Sequence, residues 1–186
     1  MQSSGVIAVR IVCFGDSNTY GYDPRGAFGG RYGAGDRWVD LLEKQSGHKC
    51  IQAGANGREI PRKPFEEQQA GDIFLIMLGT NDLLQGASEK ETASRMEACL
   101  TALLPHCKQI ILVVPPPMKR GAWVPTDALV TKSIRLAEEY MLLAEKLNIP
   151  FVDTHHWNIG LTFDGVHFTE EGHRAFAENL RKELRL

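Results

Sequence analysis

Ile11-Val12-Cys13-Phe14 runs straight into Gly15-Asp16-Ser17. An unbroken apolar run that stops at glycine reads as a strand buried on both faces, here spanning Val6 to Phe14. A strand ending this abruptly sets a serine hydroxyl at the carboxyl edge of a sheet. Open α/β sheets collect their ligands at that edge.

Four more β-rich runs follow: Lys49 to Ala53, Asp72 to Leu78, Gln109 to Val114 and Ile149 to Val152. Helical patterns separate them. Asp36 is expected to cap a helix that buries Trp38, Leu41 and Leu42 and ends at Gly47. Ser88-x-x-Glu91 is a capping box ahead of Ala93, Met96, Leu100, Leu103 and Cys107. Thr126 or Asp127 opens a long helix with Val130, Ile134, Ala137, Met141 and Ala144 on its apolar face. The last helix starts after Thr169 and buries Phe176, Ala177, Leu180 and Leu184. Strand and helix thus alternate five times, which predicts a parallel sheet between two helical layers, a three-layer α/β/α sandwich. The loop from Asp16 to Gly35 is long and rich in glycine, the mark of a functional loop. Pro61 and Pro64 keep the stretch after Arg58 irregular.

The 186 residues suit one domain over 1–186, and 43% hydrophobic with 24% charged is an ordinary globular balance. A net charge of −2 gives no reason to propose nucleic acid or an anionic membrane as partner. The N-terminus lacks the apolar core of a signal peptide, and no run approaches the ~20 apolar residues of a membrane span, so a cytoplasmic home is expected. Cys13, Cys50, Cys99 and Cys107 form no C-x-x-C pair and read as small core residues. His155 and His156 are adjacent, so their side chains point apart, and no metal site is expected from them. The chain has neither G-x-G-x-x-G nor a P-loop at a strand end, so no nucleotide cofactor is expected.

A serine hydroxyl becomes a useful nucleophile only with a base, and the base needs an orienting group. Asp164-Gly165-Val166-His167 supplies both. His167 would take the proton of Ser17, and Asp164 would fold back in a turn to fix the imidazole tautomer. Donors for an oxyanion are available in the backbone N–H groups of Ser17 and Gly57 and the side-chain amide of Asn81. Asp16 and Asp82, beside these positions, read as loop ties. His173 falls on the apolar face of the last helix and reads as a core histidine. Tyr22, Trp123 and Trp157 are candidates to line an acyl or alcohol pocket, with core packing as the competing role.

Gly15-Asp16-Ser17-Asn18-Thr19, the Gly54-to-Gly57 turn, Gly79-Thr80-Asn81-Asp82 and Asp164-Gly165-Val166-His167 resemble the four sequence blocks of the SGNH, or GDSL, hydrolases. They come in the family's order and span nearly the whole chain. Gly21-Tyr22-Asp23-Pro24, Arg37-Trp38, Asn56-Gly57-Arg58 and the run Asp164 to His173 are similar to its small bacterial arylesterase and acyltransferase branch. The resemblance implies a flavodoxin-like five-stranded parallel sheet of order 2-1-3-4-5. It also implies metal-free ester hydrolysis by a Ser17-His167-Asp164 triad, with an oxyanion hole from Ser17, Gly57 and Asn81. In the second block Gln52-Ala53-Gly54 replaces the family's Asn-x-Gly-like opening. Short loops favour small, short-acyl esters, with water or an alcohol resolving the acyl-enzyme. A carbohydrate O-deacetylase is the alternative enzyme, and a catalytically silent binding module the alternative outside enzymes. The branch often forms homo-oligomers, so that too is an expectation.

Overall fold

The computed structural model describes residues 9–26, 28–62 and 72–186. The first three residues of the predicted opening strand, 6–8, and Pro64 lie outside these. Five parallel strands make the central sheet: β1 Arg10–Gly15, β2 Lys49–Gly54, β3 Ile73–Met77, β4 Ile110–Val113 and β5 Phe151–Val152. Their spatial order is β2-β1-β3-β4-β5, as predicted.

Strand periodicity divides the core in two. Val12, Phe14, Phe74, Ile76 and Leu112 point to one face, where they meet Met96, Leu100, Leu136 and Tyr140. These last four sit on α4 (Glu89–Leu103) and α5 (Asp127–Leu147). Ile11, Cys13, Leu75, Met77, Ile111 and Val113 point to the other face. There they meet Trp38 and Leu42 of α2 (Trp38–Ser46) and Phe176 and Leu180 of α6 (Glu170–Leu184). Two shorter helices, α1 (Ser17–Tyr20) and α3 (Thr80–Leu84), begin directly beyond the ends of β1 and β3.

Local chemistry accounts for most boundaries. The Ser88–Glu91 capping box is complete, and Thr126 and Thr169 cap α5 and α6. Gly47 closes α2 in the left-handed conformation. β5 is shorter than predicted: the Ile149 N–H is used by the Ala144 carbonyl at the end of α5, and Pro150 has none to give.

Two expectations fail and one is incomplete. Asp36 does not cap α2; Arg37 holds that position without a side-chain bond, while Asp36 is engaged by Arg174 at 2.6 Å. On α2 Val39, which the pattern left out, joins Trp38 and Leu42 in the core, while Leu41 is half-buried and packs against its edge. On α5 the buried face runs through Ser133, Leu136, Ala137, Tyr140, Leu143 and Ala144, and Ile134 and Met141 are exposed. Both faces fit helical spacing, and the Tyr140 hydroxyl bond to the Leu78 carbonyl helps hold the observed one.

The described residues between Asp16 and Gly35 hold more regular structure than a loop. After α1, Tyr22–Asp23 pairs antiparallel with Gly30–Arg31. Arg25 ties this ribbon to Asp23 and to Glu170 at the start of α6. Among the described residues no helix is long and apolar enough to cross a membrane.

Candidate active site

The sheet changes winding direction between β1 and β3, its topological switch point. Ser17 emerges there. The chain turns so tightly that a methyl on Gly15 would overlap the Thr19 hydroxyl and the Met77 carbonyl. Asp16 caps α1 by accepting from the Asn18 N–H at 2.9 Å, which makes Ser17 the first helical residue. Burial outweighs that bond and the nearby positive charges, and raises the Asp16 carboxyl to about 6.

His167 arrives 150 residues later in sequence, on the loop before α6. Its Nε2 lies 2.9 Å from Ser17 Oγ, and its Nδ1 lies 2.7 Å from Asp164 Oδ2. An ionised carboxylate can only accept, so Nδ1 carries the proton and Nε2 is free to accept from the serine. Asp164 is fully buried, yet its other oxygen accepts from Thr162 Oγ1 and from the N–H groups of Val166 and His167. Burial pushes its pKa up; the bonds from the His167 ring and from the two backbone N–H groups push harder and bring it to about 2. The carboxylate therefore stays charged beside the imidazole, where it stabilises an imidazolium.

The segment after β4 clamps this loop from outside. Lys119 N–H donates to the Gly165 carbonyl, Ala122 N–H to Phe163, and Trp123 N–H to Asp164, at 3.0–3.1 Å. The imidazole lies between two rings, Tyr22 at 4.7 Å and Trp123 edge-on at 4.9 Å between centroids.

A cavity of about 250 Å³ opens in front of Ser17 and His167, bordered by Tyr22, Asn56, Gly57, Asn81 and Trp123. Gly57 sits at φ 69°, a left-handed turn that suits glycine and brings bare backbone to the cavity. Gly54 is needed for a different reason, because a side chain there would strike the backbone of Thr19 and Tyr20. Asn81 Nδ2 donates one hydrogen to the Arg58 carbonyl at 3.0 Å, and its second amide hydrogen has no protein partner among the described residues. Asp82 accepts from Ile60 N–H and from Arg95, so the Gly57 and Asn81 loops are tied to each other twice. Arg58 stacks over Phe14 and donates to the carbonyls of Gly15 and Ala53, which joins the ends of β1 and β2 behind the site.

The structure thus gathers Ser17, Gly57, Asn81, His167, Tyr22 and Trp123 around one space, with Asp164 buried behind His167. Trp157 is placed elsewhere: its ring packs edge-on against Phe176 at 5.3 Å in the α2/α6 core, away from the cavity. His173 is fully buried between Tyr32 and Phe168. Among the described residues no three His, Cys, Asp or Glu side chains converge as a metal would need. One member of the assembly has no signal of its own in the sequence. Asn18, inside the first block, bonds to the backbone on both sides of His167. Only its place beside Ser17 could have drawn attention to it.

A model of the GDSL-like lipase/acylhydrolase family matches residues 13–175. No curated protein matches the sequence. An aryl esterase of M. smegmatis is 27% identical with a TM-score of 0.78, over 96% of this chain and 99% of its own. A carbohydrate acetylesterase family member of Sinorhizobium meliloti is 26% identical at TM-score 0.77, over 95% and 97%. A member of the lipolytic G-D-S-L family of Veillonella parvula, 21% identical at 0.77 over 96% and 100%, is similar in fold.

Proposed function

The chain belongs to the GDSL-like lipase/acylhydrolase family, and from that premise we propose that it is a serine esterase for small, short-acyl carboxylic esters. The observation that carries the reading is the unbroken path from Asp164 through His167 to Ser17 at the mouth of the cavity.

Ser17 Oγ attacks the ester carbonyl as its proton passes to His167 Nε2. The tetrahedral oxyanion faces the N–H groups of Ser17 and Gly57 and the Asn81 amide. Collapse expels the alcohol, which leaves with the proton from His167 and gives an acyl-enzyme on Ser17. Water then enters, His167 removes its proton, and the acid departs. An alcohol in place of water would give acyl transfer by the same path. The cavity, about 250 Å³, falls below the usual ~300–1,000 Å³ of drug-sized sites, which favours small substrates.

A second reading, a carbohydrate O-deacetylase, draws on Tyr22 and Trp123. Both rings border the cavity, and Trp123 is half exposed, as a sugar-stacking platform would be. The similarity to the Sinorhizobium meliloti acetylesterase family member also favours it.

Turnover of p-nitrophenyl acetate, butyrate and palmitate, alongside acetylated sugars, tests both. The esterase reading expects acetate fastest and palmitate negligible. Faster release of acetate from sugars than from aryl acetate would select the second reading. Inertness toward the whole panel would overturn both.

A further inference from the structure

We infer that Asn18 is a positioning residue for His167, an assignment that rests on the esterase reading above. The side chain lies in a buried space between α1 and the loop that carries the imidazole. Its Oδ1 accepts from the Phe168 N–H at 2.9 Å, and its Nδ2 donates to the Val166 carbonyl at 3.1 Å. Those two backbone groups flank His167 on either side. One amide therefore grips the main chain before and after the base, and it belongs to the residue next to the nucleophile.

The chemistry of the grip selects asparagine. The loop offers one donor and one acceptor to the same side chain, and a primary amide presents the matching pair. Only one orientation of the amide satisfies both. Aspartate would set a carboxylate against the Val166 carbonyl, and leucine would leave a buried N–H and a buried C=O without partners.

Asn18 is itself held on both backbone groups. Its N–H donates to Asp16 Oδ1, and its carbonyl accepts from Trp38 Nε1 at 3.0 Å. Gly21 N–H closes the short helix onto Ser17. The fixed side of the clamp is thus the serine side, and the loop is referred to it. His167 receives further restraint from Asp164 and from Thr162 N–H, which donates to the His167 carbonyl at 2.8 Å. Both of those partners lie on the histidine's own loop, which the segment after β4 also holds. Of the hydrogen bonds that span from α1 to the 166–168 segment, two belong to the Asn18 side chain and the third is the Ser17–His167 bond itself. Asn18 is therefore the side chain that refers the His167 backbone to α1, across the 2.9 Å gap between Oγ and Nε2.

Asn18 does not border the cavity, so it acts on the rate and leaves substrate binding alone. Steady-state kinetics of Asn18→Leu on an ester turned over by the wild type tests this. A displacement of about 1 Å costs ~10²-fold, so kcat should fall by about that factor while KM stays within about threefold. Fluorophosphonate should still label Ser17, more slowly. A residue that only stabilised the fold would lower the unfolding midpoint and leave kcat per folded molecule intact, and that result would overturn the inference. A raised KM with unchanged kcat would also overturn it. If Asn18→Leu does not fold, Asn18→Asp, which keeps the acceptor and the shape, is read by the same criteria. A wild type inert on every ester would defeat the esterase reading; an active wild type matched by its Asn18 variant would defeat this inference alone.

Discussion

Two histidines six residues apart are both buried, and the molecule treats them in opposite ways. His167 has a partner on each ring nitrogen, Ser17 on one and Asp164 on the other. His173 has only a long contact from Trp38 N–H to Nδ1, at 3.4 Å, and its Nε2 has no partner among the described residues. Both stand between aromatic rings. Burial drives the His173 pKa down to about 3, against the weaker pull of Asp36, so this ring stays neutral and inert. What separates the proposed base from filler is therefore a carboxylate on the far nitrogen and a hydroxyl on the near one. Burial and aromatic stacking are common to both sites and confer no reactivity alone.

The largest test of that contrast removes the reacting atoms. Ser17→Ala and His167→Ala should each lower kcat by roughly a millionfold on a small ester without unfolding the protein. His173→Phe should leave kcat within about threefold, because that ring touches none of the reacting groups. Comparable losses from the two histidine variants would erase the distinction.

Next in size is the carboxylate. Asp164→Asn keeps the shape but invites the wrong imidazole tautomer, and kcat should fall by about 10⁴. A loss below about tenfold would mean that the charge beside Nδ1 does not distinguish His167 from His173.

Smaller again is the effect expected of the proposed oxyanion donor. Asn81→Ala should cost about 10²–10³ in kcat, measured against circular dichroism because the amide also holds the Arg58 carbonyl.

The smallest effect is on stability. An unfolded histidine titrates near 6.5, and His173 is held neutral down to about 3. Between those values the unfolded chain binds the extra proton, so this residue's contribution is intact above about pH 6.5 and is lost as pH falls. Asp16 works the other way. With its pKa raised to about 6, it costs stability as pH rises from about 4 to that value. The urea midpoint of His173→Phe, relative to wild type, should therefore climb as pH drops from about 6.5 to about 4.5. A constant difference would show that His173 is not the buried proton-excluding group described.

Much of this was legible in the chain, for identifiable reasons. The strands declare themselves because a parallel sheet buried on both faces needs unbroken apolar runs, as in Ile73 to Met77. Three of the site blocks declare themselves because each sits where a strand stops, and the fourth lies in the loop before the last helix. The misses share a cause: they depend on what another segment offers. Asp36 looks like a cap until Arg174 of α6 reaches it. Ile134 and Met141 share a helical stripe, but the rival stripe through Leu136 and Tyr140 meets the sheet. Trp157 and Trp123 are equivalent as letters; one meets Phe176 and the other meets His167. Asn18 is the extreme case, since its partners lie 148 and 150 residues away and are backbone groups, which carry no mark in the sequence.

Fluorophosphonate labelling with peptide mapping addresses the central claim most directly. The account predicts one adduct, on Ser17, formed at an undiminished rate in His173→Phe and nearly abolished in His167→Ala. An adduct on another residue, or an unchanged labelling rate in His167→Ala, would contradict it.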